Sequence, residues 1–271
     1  MHAATPQAGS LSELLRPLRE HPESSAIFCD IDGTLAPIVE RAADAAVPDD
    51  ARELLRALAG TYAQVGCISG RRASEAHALV GLDELVYIGN HGFERLLPDV
   101  GEVKPDPAVR DHADDAAAFL ERLDPAELVS LGLRVEDKGP ICALHWRGAA
   151  DEAGAEAGAR EIASEAIGRN LLPHWGRKVL EIRPAVQLDK GTALAELLDE
   201  RGMAQALYGG DDRTDIDAFR RLRDLRAAGD LAAVVCVGIA SDEGPGELTE
   251  EADAMVDGPE GFLDVLRELV A

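Results

Sequence analysis

The chain has 271 residues, a formal net charge of −24 at pH 7, and 46% hydrophobic residues of which few are aromatic. This length is enough for one large domain, or for a domain with a smaller insert. Nucleic acids and anionic membranes bind basic surfaces, so the acidic balance argues against both kinds of partner and leaves an anionic small molecule open.

The cysteines and the N-terminal stretch bear on the cellular compartment. Each of the four cysteines lies in an apolar, strand-like run without C-x-x-C spacing, so neither a zinc site nor a disulfide framework is indicated. Met1–Ser10 lacks the apolar core of a targeting signal, and no apolar run approaches the roughly 18 residues of a membrane span. We expect buried, reduced thiols and a soluble, cytoplasmic protein.

The first hundred residues alternate predicted helices and strands. A short helix is expected over 11–19, a strand over 26–29, a helix over 48–59, a strand over 63–68, a helix opening at Ser69–Arg72, and a strand over 85–89. Continuous apolar runs of this length are typical of strands buried on both faces, as in parallel sheets covered by helices. This pattern predicts a Rossmann-like core.

The first of these strands ends at two acidic residues. Its apolar run stops at Asp30, and Asp32 follows before Gly33. Residues two apart on a strand share a face, so both carboxylates should emerge together at the carboxyl edge of the sheet, where α/β sheets bind ligands. Two such carboxylates repel each other unless a cation lies between them or one is protonated. Taken alone, the motif is also compatible with an ordinary Asp-Gly turn.

The alternation breaks near Leu97 and resumes after Pro184. Between these points we predict a helix over 108–123, a hairpin of strands 133–136 and 141–147, a helix over 151–169, and a strand over 178–183. Helix, hairpin, helix and strand describe an α+β insert. We therefore predict a discontinuous α/β core at 1–97 and 184–271, with a mostly parallel sheet, and an inserted cap domain at 98–183.

After the insert, further polar groups follow predicted strands or open predicted helices. Lys190, one of only four lysines, opens a helix, and the strand 206–210 ends in Asp211 and Asp212, with Asp215 close behind. Strands over 232–239 and 254–256 and a helix over 261–270 complete the chain. These groups should meet Asp30 at one rim of the sheet.

This set of residues suits phosphoryl transfer. A carboxylate can attack phosphorus and form an acyl phosphate, and a second carboxylic acid can protonate the leaving alkoxide and then activate water. Mg²⁺ prefers carboxylate oxygens and bridges phosphate to protein, while Ser69, helix-start N–H groups and Lys190 can hold phosphate oxygens. Taken singly, Ser69–Gly70 is also compatible with a helix cap, Lys190 with a surface lysine, and Asp211–Asp212 with a turn.

The order of these residues resembles the haloacid dehalogenase superfamily of phosphatases, and the insert is similar to that superfamily's larger, C2-type cap. More narrowly, the chain resembles trehalose-6-phosphate phosphatases. The segments that carry the resemblance are Asp30–Ile38, Ile68–Arg71, Gly89–Gly92, Val135–Lys138, His145–Arg147, Val179–Pro184 and Gly210–Asp215.

The resemblance implies a role for each matching residue. Asp30 would be the nucleophile, Asp32 the general acid/base, and Lys190 the catalytic lysine. Mg²⁺ would be bound by Asp30, the Asp32 backbone carbonyl and Asp211, with Asp215 in support. Ser69, Gly70 and Lys190 would hold the phosphate. The substrate would be contacted by Asp30, Asp32, Arg71, Asn90 and His91, and in the cap by Glu136, Lys138 and Glu181.

The implied reaction is hydrolysis of trehalose 6-phosphate in trehalose biosynthesis, with a trehalose-phosphate synthase in the same pathway. A phosphatase for another sugar phosphate, such as sucrose phosphate or a glycosyl-glycerate phosphate, is the alternative, because only the cap would differ. A catalytically silent relative would have lost Asp30, and the chain retains it. Glu136 and Lys138 are also compatible with a solvated cross-strand pair, and His91 with a plain turn residue.

Overall fold

The computed structural model describes residues 10–39, 44–98, 100–112, 114–241 and 244–271. Residues 1–9, for which we expect no targeting segment, lie outside these ranges. The strands are β1 Ser25–Cys29, β2 Gln64–Ile68, β3 Val86–Gly89, β4 Glu94–Leu96, β5 Val103–Pro105, β6 Arg134–Asp137, β7 Cys142–His145, β8 Leu171–Gly176, β9 Val179–Pro184, β10 Gln205–Gly210, β11 Ala233–Ala240 and β12 Ala254–Asp257.

The helices are α1 Leu11–Glu20, α2 Asp49–Ala59, α3 Ala73–Val80, α4 Asp115–Leu120, α5 Pro125–Ser130, α6 Glu152–Ile167, α7 Lys190–Glu200, α8 Arg213–Ala228, α9 Glu247–Glu251 and α10 Gly258–Val270. Throughout the described ranges, the helices are too short or too polar to span a lipid bilayer.

The chain divides into two compact units. Unit 1 comprises Met1–Lys104 and Leu188–Ala271, and unit 2 comprises Pro105–Gln187. These bounds differ from the predicted insert at 98–183, because β4 pairs antiparallel with β3 and β5 extends the same sheet beyond β4. Both strands have three residues, too few to show an alternating pattern in the sequence.

Unit 1 contains a mostly parallel sheet of eight strands, in the order β12-β11-β10-β1-β2-β3-β4-β5. The six strands from β12 to β3 are mutually parallel. The predicted α/β fold is therefore confirmed. Successive strands run outward in one direction from β1 and in the other from β10, so the strand order reverses between these two neighbours. Ligands of open α/β sheets bind outside the carboxyl ends of the strands at such a reversal.

Both faces of the unit 1 sheet are covered by helices. Ile27 and Cys29 of β1 pack into a cluster with buried residues of α1, α2, α3 and α10. The alternate residues Ala26 and Phe28 pack into a second cluster with α7 and α8. This double burial explains why β1 is apolar from Ala26 to Cys29 and why it ends where the first charged residue follows.

Unit 2 is built on a second, fully antiparallel sheet in the order β6-β7-β9-β8. Leu144, Leu180 and Ile182 pack with Phe119 of α4 and Ala159 of α6 in a separate core. The intervening residues point to the opposite face. There, a row runs across the four strands in register: Glu136, Ala143, Glu181 and His174.

Unit 2 differs from the sequence predictions in three elements, one of which is the unpredicted six-residue helix α5. The helix expected over 108–123 has six residues, Asp115–Leu120, because the segment before it turns early, where the Asp106 carboxylate accepts the backbone N–H of Ala108 at 2.9 Å. The strand β8 was not predicted, since it contains Pro173 and lacks an apolar–polar alternation.

Candidate active site

Three buried carboxylates meet where β1 and β10 end. Asp30 directly follows β1, and its N–H donates to the carbonyl of Gly209 in β10 at 2.9 Å. Asp211 directly follows β10, and Asp215 lies in the first turn of α8. Each of these three aspartates offers an oxygen within 4.8 Å of those of the others. The reversal in strand order therefore gathers the acidic residues that the sequence predicted to meet.

Lys190 contributes a positive charge to this cluster. Its ammonium nitrogen lies 2.7 Å from Asp215 Oδ1, 3.2 Å from Asp30 Oδ1 and 4.0 Å from Asp212 Oδ1, and the residue is 1% exposed. Burial lowers the pKa of Lys190, but the attraction of the three carboxylates outweighs it and raises the pKa above its ordinary value. Lys190 therefore stays charged and is not a surface lysine.

Asp215 is held by hydrogen bonds on both of its oxygens. Oδ1 accepts from Lys190 Nζ and from the Tyr208 hydroxyl, each at 2.7 Å. Oδ2 accepts the backbone N–H groups of Asp211 and Asp212 at 2.9 and 3.0 Å. This carboxylate fixes the loop after β10 and orients the lysine. Tyr208 had no predicted role, although a tyrosine in a fully buried strand needs a partner for its hydroxyl.

The remaining aspartates experience different local fields. Burial raises the pKa of Asp30 well above its usual range, with Lys190 opposing the rise and the neighbouring aspartates adding to it. Burial and Asp215 raise the pKa of Asp211 to about 7. Burial also acts to raise the pKa of Asp212, but Lys190 and a hydrogen bond from Thr214 hold it below its usual value. Asp30 and Asp211 are thus the carboxylates that would gain most from a bound cation.

The chain after Asp32 approaches Asp211 closely. Gly33 has a φ of +92°, and a Cβ atom at this position would lie 2.2 Å from Asp211 Oδ2. The Thr34 hydroxyl donates to Asp211 Oδ1 at 3.3 Å. The Asp-Gly-Thr sequence therefore does more than turn the chain, because it forms one wall of the carboxylate cluster.

Asp32 has a different partner from Asp30. Both residues lie beyond the end of β1 at Cys29, so the side-chain geometry of a strand does not extend to them. The Arg71 guanidinium pairs side-on with the Asp32 carboxylate, with Nε 2.6 Å from Oδ2 and Nη2 2.7 Å from Oδ1. The resemblance predicts Arg71 as a substrate contact and does not predict this pair.

The loop after β2 is tied to the turn after β3. The N–H groups of Asn90 and His91 donate to the carbonyls of Arg71 and Ser69 at 2.7 and 3.0 Å. Asn90 and His91 have φ values of 51° and 58°, in the left-handed region that side chains rarely adopt. The His91 ring packs on Gly70, where a Cβ atom would lie 2.7 Å from it. The Asn-His-Gly segment thus fixes the predicted phosphate-binding loop.

The predicted cap residues form ion pairs within unit 2. Lys138 Nζ donates to Glu181 Oε1 at 2.9 Å, and Arg183 donates to Glu181 Oε2 through Nε at 3.1 Å and Nη2 at 2.6 Å. Glu136 Oε2 lies 2.7 Å from His145 Nε2, and this hydrogen bond lowers the pKa of Glu136. Lys138 and Glu181 are only 9% and 6% exposed. Lys138 is therefore part of a buried ion pair and not of a solvated pair with Glu136.

Two residues of this network had no predicted role. Arg183 follows Glu181 by two positions in β9, so it lies on the same face, and this spacing is readable from the sequence. His145 becomes a neighbour of Glu136 only through the register of β6 with β7, in which Arg134 is opposite His145 and Glu136 opposite Ala143. The sequence does not give that register.

Comparison with known proteins identifies the family. The sequence model of the trehalose-phosphatase family matches residues 28–248. An uncharacterized glycosyl hydrolase of Mycobacterium tuberculosis is 38% identical over 207 residues, which cover 73% of this chain and 15% of that protein. Probable trehalose-phosphate phosphatase 9 of Oryza sativa subsp. japonica is 34% identical over 223 residues, covering 73% of this chain and 59% of that protein. The match thus spans only part of each relative's length.

The fold is shared with a solved structure. The C-terminal domain of trehalose-6-phosphate phosphatase from C. albicans superposes with a TM-score of 0.71 at 23% identity, covering 100% of this chain and 99% of that one. The family match over residues 28–248, which is most of the chain, identifies this protein as a member of the trehalose-phosphatase family.

Proposed function

We propose that this protein hydrolyses trehalose 6-phosphate to trehalose and phosphate through an aspartyl phosphate on Asp30. The observation that carries the proposal is the buried cluster in which Asp30 lies 3.2 Å from Lys190 Nζ, beside Asp211 and Asp215. Membership of the trehalose-phosphatase family supports the choice of substrate.

The reaction takes place in two displacements. An Asp30 oxygen attacks phosphorus, the bond from phosphorus to the sugar oxygen breaks, and Asp32 donates a proton to that oxygen. Asp32 then takes a proton from water, whose oxygen attacks phosphorus and releases inorganic phosphate from Asp30. Lys190 and Ser69 hold the phosphate oxygens, and Lys190 also favours the ionised form of the nucleophile. Asp30 forms the covalent bond because Lys190 contacts it directly, whereas Arg71 holds Asp32.

The cluster fits a magnesium ion. All three donors are carboxylates, the ligand type that Mg²⁺ prefers, and the burial that raises the pKa of Asp30 and Asp211 would be relieved by a divalent cation. Asp30, Asp211 and the Asp32 backbone carbonyl would hold the ion, with Asp215 in support because its oxygens already accept four hydrogen bonds. When bound, the ion would neutralise charge on the phosphoryl group.

Recognition of the sugar is assigned to unit 2. Glu136, Lys138 and Glu181 combine donors and acceptors on one face of its sheet, which is what hydroxyl groups require. Because the groups of the carboxylate cluster act on the phosphoryl group, discrimination between sugar phosphates must come from other residues. Asn90 and His91 remain predicted substrate contacts.

The biological setting is part of the same proposal. The four cysteines are buried free thiols, which supports a reducing, cytoplasmic location. A trehalose-phosphate synthase that supplies the substrate stays a prediction.

Phosphate release from a panel of sugar phosphates tests the proposal. With Mg²⁺, kcat/KM for trehalose 6-phosphate should exceed that for sucrose 6-phosphate and for a glucosyl-glycerate phosphate by about tenfold or more, and EDTA should abolish activity. Asp30→Asn should bind the substrate in calorimetry without turning it over. The matched control is Asp83→Asn, which replaces an exposed aspartate paired with His77 and should be fully active.

Two results would contradict the proposal. Turnover by Asp30→Asn at the wild-type rate would show that Asp30 is not the nucleophile. Hydrolysis of sucrose 6-phosphate as efficiently as trehalose 6-phosphate would show that the substrate is wrong, while leaving the phosphatase assignment in place.

A further inference from the structure

The residue assigned as general acid/base is held by a two-point ion pair. Arg71 donates from Nε to one oxygen of Asp32 at 2.6 Å and from Nη2 to the other at 2.7 Å. The Arg71 side chain is 15% exposed and that of Asp32 is 34% exposed, so the pair is more sheltered than a surface salt bridge. A planar guanidinium that binds both oxygens fixes the plane of the carboxyl group as well as its position.

Arg71 is itself anchored on both sides. Its carbonyl accepts the N–H of Asn90 at 2.7 Å, and its own N–H donates to the Ser69 hydroxyl at 3.2 Å. Ser69 is 2% exposed at the end of β2, and Asn90 is fully buried. The backbone that carries the guanidinium therefore has little freedom, and the orientation of Asp32 follows from the loop after β2.

We propose that Arg71 is a positioning residue that aims the Asp32 carboxyl group at the sugar oxygen that leaves phosphorus. This inference rests on the proposed function, because it needs Asp32 to move a proton. When one Asp32 oxygen carries that proton, the other still accepts from Arg71, so one contact persists and the carboxyl group remains oriented. The proton passes from Asp32 to the sugar oxygen as the phosphorus–oxygen bond breaks, and Arg71 exchanges no proton.

The leaving group separates this role from direct binding of phosphate by Arg71. A sugar alkoxide is a poor leaving group and needs a proton as it departs, whereas p-nitrophenolate leaves readily without one. A residue that acts only through Asp32 should therefore matter for the sugar phosphate and much less for p-nitrophenyl phosphate. A residue that binds the phosphoryl group should matter equally for both. The comparison uses kcat/KM, which includes formation of the aspartyl phosphate and not its later hydrolysis.

The experiment measures kcat/KM of Arg71→Met, Arg71→Lys and Asp32→Asn, with Arg72→Met as the matched control on the adjacent arginine. Arg71→Met should lower kcat/KM for trehalose 6-phosphate about 10–100-fold more than kcat/KM for p-nitrophenyl phosphate. This difference is part of the rate enhancement that general acid catalysis supplies. Arg71→Lys should lose less activity than Arg71→Met, since an ammonium group keeps the positive charge but cannot bind both oxygens of Asp32 in the plane of the carboxyl group. Arg72→Met should behave as wild type on both substrates.

A double-mutant cycle shows whether Arg71 acts through Asp32. In an Asp32→Asn background, Arg71→Met should cause no further loss on trehalose 6-phosphate, because the group that it orients can no longer donate a proton. Thermal unfolding of each variant tests whether it folds, and if Arg71→Met does not, the cycle uses Arg71→Lys.

Three outcomes would overturn the inference: equal losses on both substrates, no loss on either, or a full further loss in the Asp32→Asn background. Failure of the proposed function is a distinct result. In that case the wild-type protein itself would release no phosphate from trehalose 6-phosphate, and the inference about Arg71 would fall with it.

Discussion

At the scale of single residues, the candidate site depends on positions where the backbone must come close to a charged group. Gly33 is the clearest of these, with a φ of +92° and an Asp211 carboxylate packed where a side chain would begin. Gly81 has a similar φ of +73°, but an added Cβ there would meet no atom within 4 Å. Comparing substitutions of the two glycines therefore separates the effect of the left-handed backbone from the effect of crowding against Asp211.

Gly33→Ala should weaken Mg²⁺ binding about 10–100-fold, because Asp211 must move away from Asp30 to make room for the methyl group. The measurement is phosphatase activity titrated with Mg²⁺, together with the free energy of unfolding. Gly81→Ala should lose about 1 kcal/mol of stability from the left-handed backbone alone and keep its Mg²⁺ dependence. Unchanged Mg²⁺ dependence in Gly33→Ala would show that the Asp211 position is not needed.

Some residue positions could be predicted from the sequence and others could not. Asp30 and Asp211 each follow a buried apolar run, and the carboxyl ends of parallel strands meet at one edge, so their proximity follows from general sheet geometry. The pairing of Asp32 with Arg71 does not follow, because it depends on a loop whose path is set by left-handed residues at Asn90 and His91. Sequence propensities give no warning of that conformation, which is rare for residues other than glycine.

At the scale of elements, β9 serves two purposes through its alternation. Leu180 and Ile182 enter the core of unit 2, while Glu181 and Arg183 point to the other face and pair with each other. Glu181 accepts from Lys138 on one oxygen and from Arg183 on the other, so a single acidic residue is held between two cations. Buried carboxylates with two cationic partners are fixed in orientation as well as in charge.

Arg183→Gln should therefore disturb recognition of the sugar without touching the chemistry at phosphorus. We expect a loss of about 10–100-fold in kcat/KM for trehalose 6-phosphate, since a charged hydrogen bond contributes about 1.5–3 kcal/mol. The value of kcat/KM for p-nitrophenyl phosphate should be nearly unchanged. Arg122→Gln, an exposed arginine of the same unit, is the control and should leave both values unchanged. Equal losses on both substrates in Arg183→Gln would mean that Arg183 only stabilises the fold.

The strands that could not be predicted from the sequence share a physical reason. β4 and β5 have three residues each, and β8 contains a proline and is a sheet edge in unit 2. Edge strands tolerate proline and are buried on fewer sides, so their sequences carry little apolar pattern. In contrast, β1 and β10 are buried at every position and were readable as continuous apolar runs.

At the scale of the whole molecule, a small part of the acidic excess is buried at the candidate active site. Asp30, Asp211, Asp212 and Asp215 surround Lys190 in unit 1, so the local charge is negative even though each group has specific partners. Burial of like charges opposes folding unless protons or cations are bound. Folding stability should therefore depend on both pH and divalent cations.

The sign of the pH dependence follows from Asp211 and Asp215. Burial raises the pKa of Asp211 from 3.8 to about 7 and the pKa of Asp215 from 3.8 to about 6. Between about pH 4 and 7, the folded state therefore retains protons that the unfolded chain has already lost, and the unfolding free energy falls as pH rises. The stabilising contribution is complete below about pH 4 and is lost as pH rises through about 7.

In EDTA, the unfolding free energy of the wild-type protein should fall by about 2 kcal/mol more between pH 5 and pH 8 than that of Asp211→Asn. About two pH units of the Asp211 shift lie in this range, at 1.36 kcal/mol per unit. Part of this free energy is shared with Asp215. Urea denaturation at four pH values measures this difference. Asp83→Asn removes an exposed aspartate and should keep the wild-type slope. Mg²⁺ should reduce the slope, because a cation bound to ionised Asp211 lowers the pH at which its proton is released. Identical slopes for the wild-type protein and Asp211→Asn would mean that Asp211 is already ionised in the folded protein at pH 5, and that the negative charge is balanced within the protein itself.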